Sequence, residues 1–151
     1  MSKLNENVSK ISIGSDHGGF ALKSSIIAHL EEAGITVTDR GCYDTSSCDY
    51  PVFAKAVGAD VADGSSDLGI LICSTGIGMS MAANKVPGVR AALCHESYSA
   101  KMTKLHNNAN VLCLGALVTG ENLALDIVDT FISTPFSEEE RHIRRVNLIE
   151  N

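Results

Sequence analysis

The chain of 151 residues is 44% hydrophobic and 20% charged, with a formal net charge of −6. That length suits one domain with a substantial core, and that composition excludes intrinsic disorder. The acidic balance, with a pI near 5.2, excludes the dense cationic face of a nucleic-acid binder. With no run of about 18 apolar residues, a helical membrane span is excluded as well. Aromatics make up 5% and Trp is absent, so the core is expected to be aliphatic. Residues 1–10 are polar and lack the apolar stretch of a signal peptide, which reads as a cytoplasmic protein. Five cysteines are present: Cys42, Cys48, Cys73, Cys94 and Cys113. An odd count in a chain that is neither small nor loop-rich argues against a disulfide framework. Cys42 and Cys48 lack the second pair a zinc site needs. Four of the five thiols are expected to be buried apolar residues.

In chain order, 11–14 reads as a strand and 18–32 as a helix, with apolar Phe20, Leu22, Ile26, Ile27 and Leu30 at helical spacing and Gly34 as its C-cap. A second strand is expected at 35–38 and a polar loop at 39–50. Pro51 suits the first turn of a helix running to about Ala62. The unbroken apolar run 68–72 predicts a strand covered on both faces. A glycine-bearing turn and a short helix at about 78–85 follow. Then come a strand at 89–94, a helix at 96–105, a strand at 109–114 and a helix at 120–132, which Pro135 ends. Ser137, followed by Glu138, Glu139 and Glu140, predicts the N-cap and acidic first turn of a last helix.

Five β units with helical crossovers predict an α/β fold: a three-layer α/β/α sandwich around a five-stranded, parallel, Rossmann-like sheet. The expected organisation is a single domain over 1–151. Its last helix, about 138–150, carries Arg141, Arg144 and Arg145, has no strand after it and is expected to pack on another subunit.

In such sheets, ligands sit beyond the carboxyl ends of the strands. After the third strand come Cys73, Ser74, Thr75, Gly76, Ile77 and Gly78. The glycines let successive amide N–H groups converge at a helix N-terminus, an arrangement suited to a phosphate or a developing enediolate oxygen. Cys73 sits at the rim, where such donors favour a thiolate. A tight strand-to-helix turn with an inert buried thiol fits the same residues. Three named motifs fail here. A dinucleotide fingerprint needs Gly or Ala where Met81 stands, although Glu96 lies about where a ribose-binding acid belongs. A thiol phosphatase loop needs Arg where Met79 stands, and Walker A lacks its Gly-Lys-Ser/Thr.

Asp16 and His17 follow the first strand as an acid/base pair or as plain turn formers. His106, Asn107 and Asn108 precede the fifth strand, at the wrong edge for the Cys73 loop. They cap a helix or serve the pocket of a facing subunit. His29 reads as surface or packing, His95 as a weaker second candidate, and His142 as a phosphate binder or, more simply, part of a solvated helical face. Arg141 and Arg145, four apart, share a face that suits a phosphate or simply answers the Glu run.

Seven segments, in order through nearly the whole chain, carry a resemblance. They are Gly14-Ser15-Asp16-His17-Gly18-Gly19-Phe20, Asp49-Tyr50-Pro51, Ile72-Cys73-Ser74-Thr75-Gly76-Ile77-Gly78, Ala82-Ala83-Asn84-Lys85, Val89-Arg90-Ala91-Ala92-Leu93, His106-Asn107-Asn108-Ala109-Asn110 and Arg141-His142. Together they resemble the ribose/galactose sugar-phosphate isomerase family, type B ribose-5-phosphate isomerases in particular. The resemblance implies a five-stranded parallel sheet and interconversion of ribose 5-phosphate and ribulose 5-phosphate through a cis-enediolate, with neither metal nor cofactor. It implies Cys73 as base and the backbone of Ser74, Gly76, Ile77 and Gly78 as anion hole, assisted by Thr75. His106 matches the ring opener, helped by Asp16. His17, Arg141 and Arg145 match phosphate binders, and Tyr50 and Asn107 match pocket residues. Pockets between the subunits of a homodimer, or of a dimer of dimers, would place His106 at a site.

Two departures stand out. Met79 occupies the position where some relatives carry a Glu base, which leaves Cys73 as the candidate. Leu117 stands where some relatives carry a phosphate-binding Arg. Two other readings compete: an isomerase of galactose 6-phosphate or allose 6-phosphate, and a non-catalytic phosphosugar or nucleotide sensor.

Overall fold

The computed structural model describes residues 6–151; of the polar stretch 1–10, residues 1–5 lie outside them. Five strands form the sheet: β1 (Lys10–Ser15), β2 (Thr36–Asp39), β3 (Leu68–Cys73), β4 (Ala91–Leu93) and β5 (Val111–Gly115). They lie in the order β2-β1-β3-β5-β4, and every neighbouring pair is parallel. The helices are α1 (Phe20–Glu32), α2 (Tyr50–Ala62), α3 (Ile77–Ala83), α4 (Ser97–Asn107), α5 (Glu121–Ser133) and α6 (Glu140–Glu150). The expected α/β architecture is thus the observed one.

Strand alternation builds the two cores. Ile70 and Ile72 of β3 pack with Ile11, Ile13, Leu112 and Leu114 under α1, α4 and α5. Leu71 and Cys73 face the other way, with Val111 and Cys113, under Ala54 and Val57 of α2 and Met79 and Ala83 of α3. All six residues of β3 are buried, as an unbroken apolar run requires. Each fully buried Leu or Ile contributes about 1.5–3 kcal/mol of burial free energy.

The chain leaves β1 toward one edge of the sheet and returns beyond β1 to form β3. The loop after β1 leads into α1 on one face, and the loop after β3 leads into α3 on the other. The strand order therefore reverses between β1 and β3, and open α/β sheets bind ligands beyond the carboxyl ends of strands at such a point.

Several boundaries differ from the expectation. A 3-10 turn, His17–Gly19, precedes α1. β4 is shorter than 89–94 because the Val89 N–H closes a turn on the Val86 carbonyl at 3.1 Å. Ser137 is not the N-cap of the last helix. Glu138 turns the chain at φ 56°, the cap falls at Glu139, and the Ser137 hydroxyl bonds His142 Nδ1 at 2.7 Å instead.

Four cysteines are buried, Cys48 is half-buried, and all five are free. Burial pushes the Cys94 thiol up to about 11 and Cys113 higher still, the behaviour of inert packing groups. Among the described residues, no helix is long and apolar enough to cross a membrane.

Lys23 was not foreseen in the interior, yet it is 1% exposed. Its ammonium donates to Asp39 at 2.7 Å and to the Cys42 carbonyl. It draws the chain after β2 onto the end of β1, where Ser15 and Gly41, and Cys42 and Ser15, exchange backbone hydrogen bonds at 2.7 Å.

Asp60 of α2 is 5% exposed. It accepts two bonds from Arg40, both at 2.6 Å, and one from the Ser12 hydroxyl at 2.7 Å. The Arg40 bonds hold its carboxyl below the ordinary 3.8. A carboxyl with a depressed folded-state pKa adds stability that is complete above its unfolded value and is lost as pH falls through the folded one. Asp60→Asn is therefore expected to lower stability at neutral pH and to flatten its decline below about pH 4. Urea midpoints across that range check both.

Candidate active site

The loops after β1 and β3 meet through glycines. A Cβ on Gly19 would stand 2.6 Å from the Ile72 carbonyl oxygen, and one on Gly18 would stand 2.6 Å from Ser74 Oγ. At Gly19 the obstacle is backbone and only a hydrogen fits; at Gly18 it is a serine hydroxyl that a Cβ would displace. The Asp16 N–H bonds the Ile72 carbonyl at 3.2 Å, and Asp16 Oδ1 accepts the Gly19 N–H at 3.1 Å. Asp16 is thereby fixed and buried beside the end of β3.

β5 closes the cradle from the far side. A Cβ on Gly115 would lie 2.7 Å from the Thr75 carbonyl. Ala116 and Leu117 donate backbone bonds to the carbonyls of Cys73 and Ser74 at 2.9 and 3.0 Å. Gly76 holds φ 77°, a left-handed conformation that glycine tolerates, and this turns the loop back over Cys73. The Gly76 N–H then donates to Cys73 Sγ at 3.1 Å. The sulfur thus sits against a main-chain donor.

Thr75 Oγ1 accepts the Ile77 N–H at 3.2 Å at the start of α3. Tyr50, at the start of α2, lies on Gly78, where a Cβ would meet its ring at 2.6 Å. His17 is exposed, and its Nδ1 accepts the Cys48 N–H at 3.3 Å, with Cys48 Sγ 3.8 Å away. Asp16, His17, Tyr50, Cys73, Ser74, Thr75, Gly76, Ile77 and Gly78 thus gather at one edge of the sheet. Neither departing position offers a substitute. Met79 is fully buried in the core under α3, and Leu117 is 81% exposed.

The second group lies at the opposite edge, where β5 begins. His106 and Asn107 end α4, and both are exposed. Asn108, in the left-handed region, is the C-cap, so His106 does not cap the helix. Its ring makes no hydrogen bond among the described residues and stacks on His142, with centroids 4.4 Å apart. Here the sequence reading of His142 fails. His142 is 4% exposed and points inward from α6, not to solvent. The overlooked signal was its i, i+4 spacing to Val146, the other buried residue of that helix. Burial, then the neighbouring charge of His106, pushes the His142 pKa down from 6.5. Arg141 and Arg145 are exposed beside it, Arg141 paired to Glu139 at 2.9 Å, a contact worth little in solvent.

Two cations that sequence reasoning missed fasten this corner. Arg90 donates twice to the Asn108 carbonyl, at 3.0 and 2.9 Å. The Lys104 ammonium donates to the Ala109 carbonyl at 3.0 Å; burial, then Arg90, pushes its pKa down to about 8. Two further candidates have structural work. Glu96 caps α4 by accepting the Ser99 N–H, and His29 joins α1 to Asp129 of α5 at 2.7 Å. Among the described residues, no group of three or more His, Cys, Asp or Glu could hold a metal ion.

A parallel α/β sheet with a thiol that accepts a main-chain N–H at its switch point has the architecture in which small-molecule sites form. Residues 11–149 match the Ribose/Galactose Isomerase family model, and the chain belongs to that family. It is 48% identical over 140 residues to ribose-5-phosphate isomerase B of Escherichia coli K12, covering 93% of each chain. It is similar in structure to the ribose-5-phosphate isomerase B of Clostridium thermocellum, with a TM-score of 0.92 and 51% identity over 93% of this chain and 95% of that one. The type B ribose 5-phosphate isomerase of Trypanosoma brucei matches with a TM-score of 0.91 and 46% identity, over 95% and 97%.

Gly19→Ala tests the contact that seats Asp16. Its methyl would meet backbone that cannot yield, so a loss of about 1–3 kcal/mol is expected, read as a lowered urea midpoint.

Proposed function

We propose that the chain is an aldose–ketose isomerase interconverting D-ribose 5-phosphate and D-ribulose 5-phosphate. The observation that carries this is the Gly76 N–H at 3.1 Å from Cys73 Sγ, inside a turn of amides beside Asp16 and His17. Family membership supports the substrate class.

In the proposed reaction the furanose first opens, with His106 passing the proton and Asp16 assisting. The Cys73 thiolate removes the C2 proton, giving a cis-enediolate. Backbone amides of 74–78 and the Thr75 hydroxyl hold the oxyanion, and each such donor lowers the barrier by roughly 3 kcal/mol. A proton shifts between O2 and O1, and the Cys73 thiol returns its proton to C1. His17, Arg141 and Arg145 grip the phosphate, and Tyr50 and Asn107 line the pocket. A histidine suits ring opening because it titrates near neutrality.

The two residue groups occupy opposite edges of one subunit, so the proposal includes a homodimer or dimer of dimers with sites between subunits. Residues 1–151 act as one isomerase domain, and α6 packs on the second copy. A cytoplasmic place in pentose phosphate metabolism goes with that substrate.

Cys73→Ala is expected to lose roughly 10²–10⁴-fold in turnover with an unchanged circular dichroism spectrum. The assay is NMR detection of solvent exchange and product from ribose 5-phosphate, with chelator present. Full turnover by this variant would remove Cys73 from the mechanism. Comparing kcat/KM for ribose 5-phosphate with that for galactose 6-phosphate and allose 6-phosphate tests the sugar: a six-carbon preference overturns the pentose assignment.

A further inference from the structure

The ring opener proposed above is weakly held. His106 is exposed at the last turn of α4, and no hydrogen bond from the described residues fixes its imidazole. What it has is the His142 ring, 4.4 Å away and tilted by 36°. His142 is in turn well held. It is 4% exposed, and its Nδ1 shares a 2.7 Å hydrogen bond with the Ser137 hydroxyl. Ser137 is tied back to α4, its N–H donating to the Leu105 carbonyl at 3.2 Å. The chain His106–His142–Ser137–Leu105 therefore begins and ends on α4. It closes a loop that fixes one ring against the other.

From this geometry we infer that His142, anchored by Ser137, is a positioning residue that orients His106 for opening the sugar ring. The inference rests on the ring-opening role proposed for His106. His142 does not touch substrate; it acts through the face of His106. Burial and the neighbouring charges of His106, Arg141 and Arg145 disfavour a proton on His142, against the opposing pull of Glu139. An uncharged His142 supports the stack without repelling a His106 that takes up a proton. Ring opening moves a proton from the O1 hydroxyl to O4 as the C1–O4 bond breaks and the C1 carbonyl forms. A ring free to rotate would reach O4 only part of the time, and misplacement of a proton-transfer group is costly in rate.

The substrate pair supplies a clean test. Ribose 5-phosphate is a closed furanose. Ribulose 5-phosphate, its C5 hydroxyl esterified, has no hydroxyl with which to close such a ring. Proton loss from C1 of ribulose 5-phosphate, counted in D2O by NMR as exchange plus aldose formed, therefore needs Cys73 and its amides but no ring opening. His142→Asn is expected to lower kcat on ribose 5-phosphate roughly 10- to 100-fold, with KM within about threefold. C1 proton loss from ribulose 5-phosphate should stay near the wild-type rate. His106→Ala is expected to show the same split more strongly. If His142→Asn does not fold, Ser137→Ala is read in the same way, with Ser137→Thr restoring turnover. Undiminished turnover of ribose 5-phosphate, or a parallel fall in both activities, overturns the inference. A wild-type protein inactive in both assays overturns the function itself.

Discussion

The contact of Gly18 and Gly19 with the end of β3 governs the arrangement around Cys73. A side chain at either glycine would collide with Ile72 or Ser74 at 2.6 Å. Because only hydrogens intervene, the two strand ends lie flush. The Asp16 carboxylate is brought against the turn that wraps the Cys73 sulfur. Gly115 repeats the device from the other side, against Thr75. The arrangement is assembled by subtraction: side chains are withheld so that the loops pack main chain against main chain. Main-chain groups held this way are oriented by the fold itself, and pre-oriented donors cost no reorganisation where charge develops beside them.

The sheet was legible in the sequence because its signal is strong and local. The fully apolar run of β3, the Gly34 stop and Pro51 at a helix start each admit one physical reading. The first residue group was legible too, because Asp16, His17 and Cys73–Gly78 directly follow strands. The second group was harder. His106 and Asn107 precede a strand, and the described residues leave them at the end of the sheet opposite the first group. His142 looked like part of a charged face because Arg141, Arg144 and Arg145 surround it. Its burial follows from which side of α6 meets α4, and tertiary packing decides that. Lys23, Lys104 and Arg90 were invisible for a related reason. A buried cation needs carbonyls or a carboxylate gathered from elsewhere in the chain, and composition does not announce such gatherings. Ser137 misled in the opposite direction: a good capping residue by type, it gave its hydroxyl to a histidine.

Helix α6 is held at both ends. Near its start, His142 lies buried under the His106 ring. Near its end, Glu150 pairs with Arg90 at 2.6 Å. Arg90 also holds the Asn108 carbonyl, so one guanidinium joins the tail of the chain to the turn that follows His106. Between these anchors, Ile143, Leu148 and Ile149 keep substantial exposure, from 42% to 71%.

This double clamp bears on the entropy of association. A tail that hung free would have to surrender its conformational freedom on docking, and that loss would be subtracted from the affinity. Here the freedom is given up when the chain folds. The exposed side of α6, where Ile143 and Leu148 stand among Arg141, Arg144 and Arg145, is thereby held in place by the fold itself.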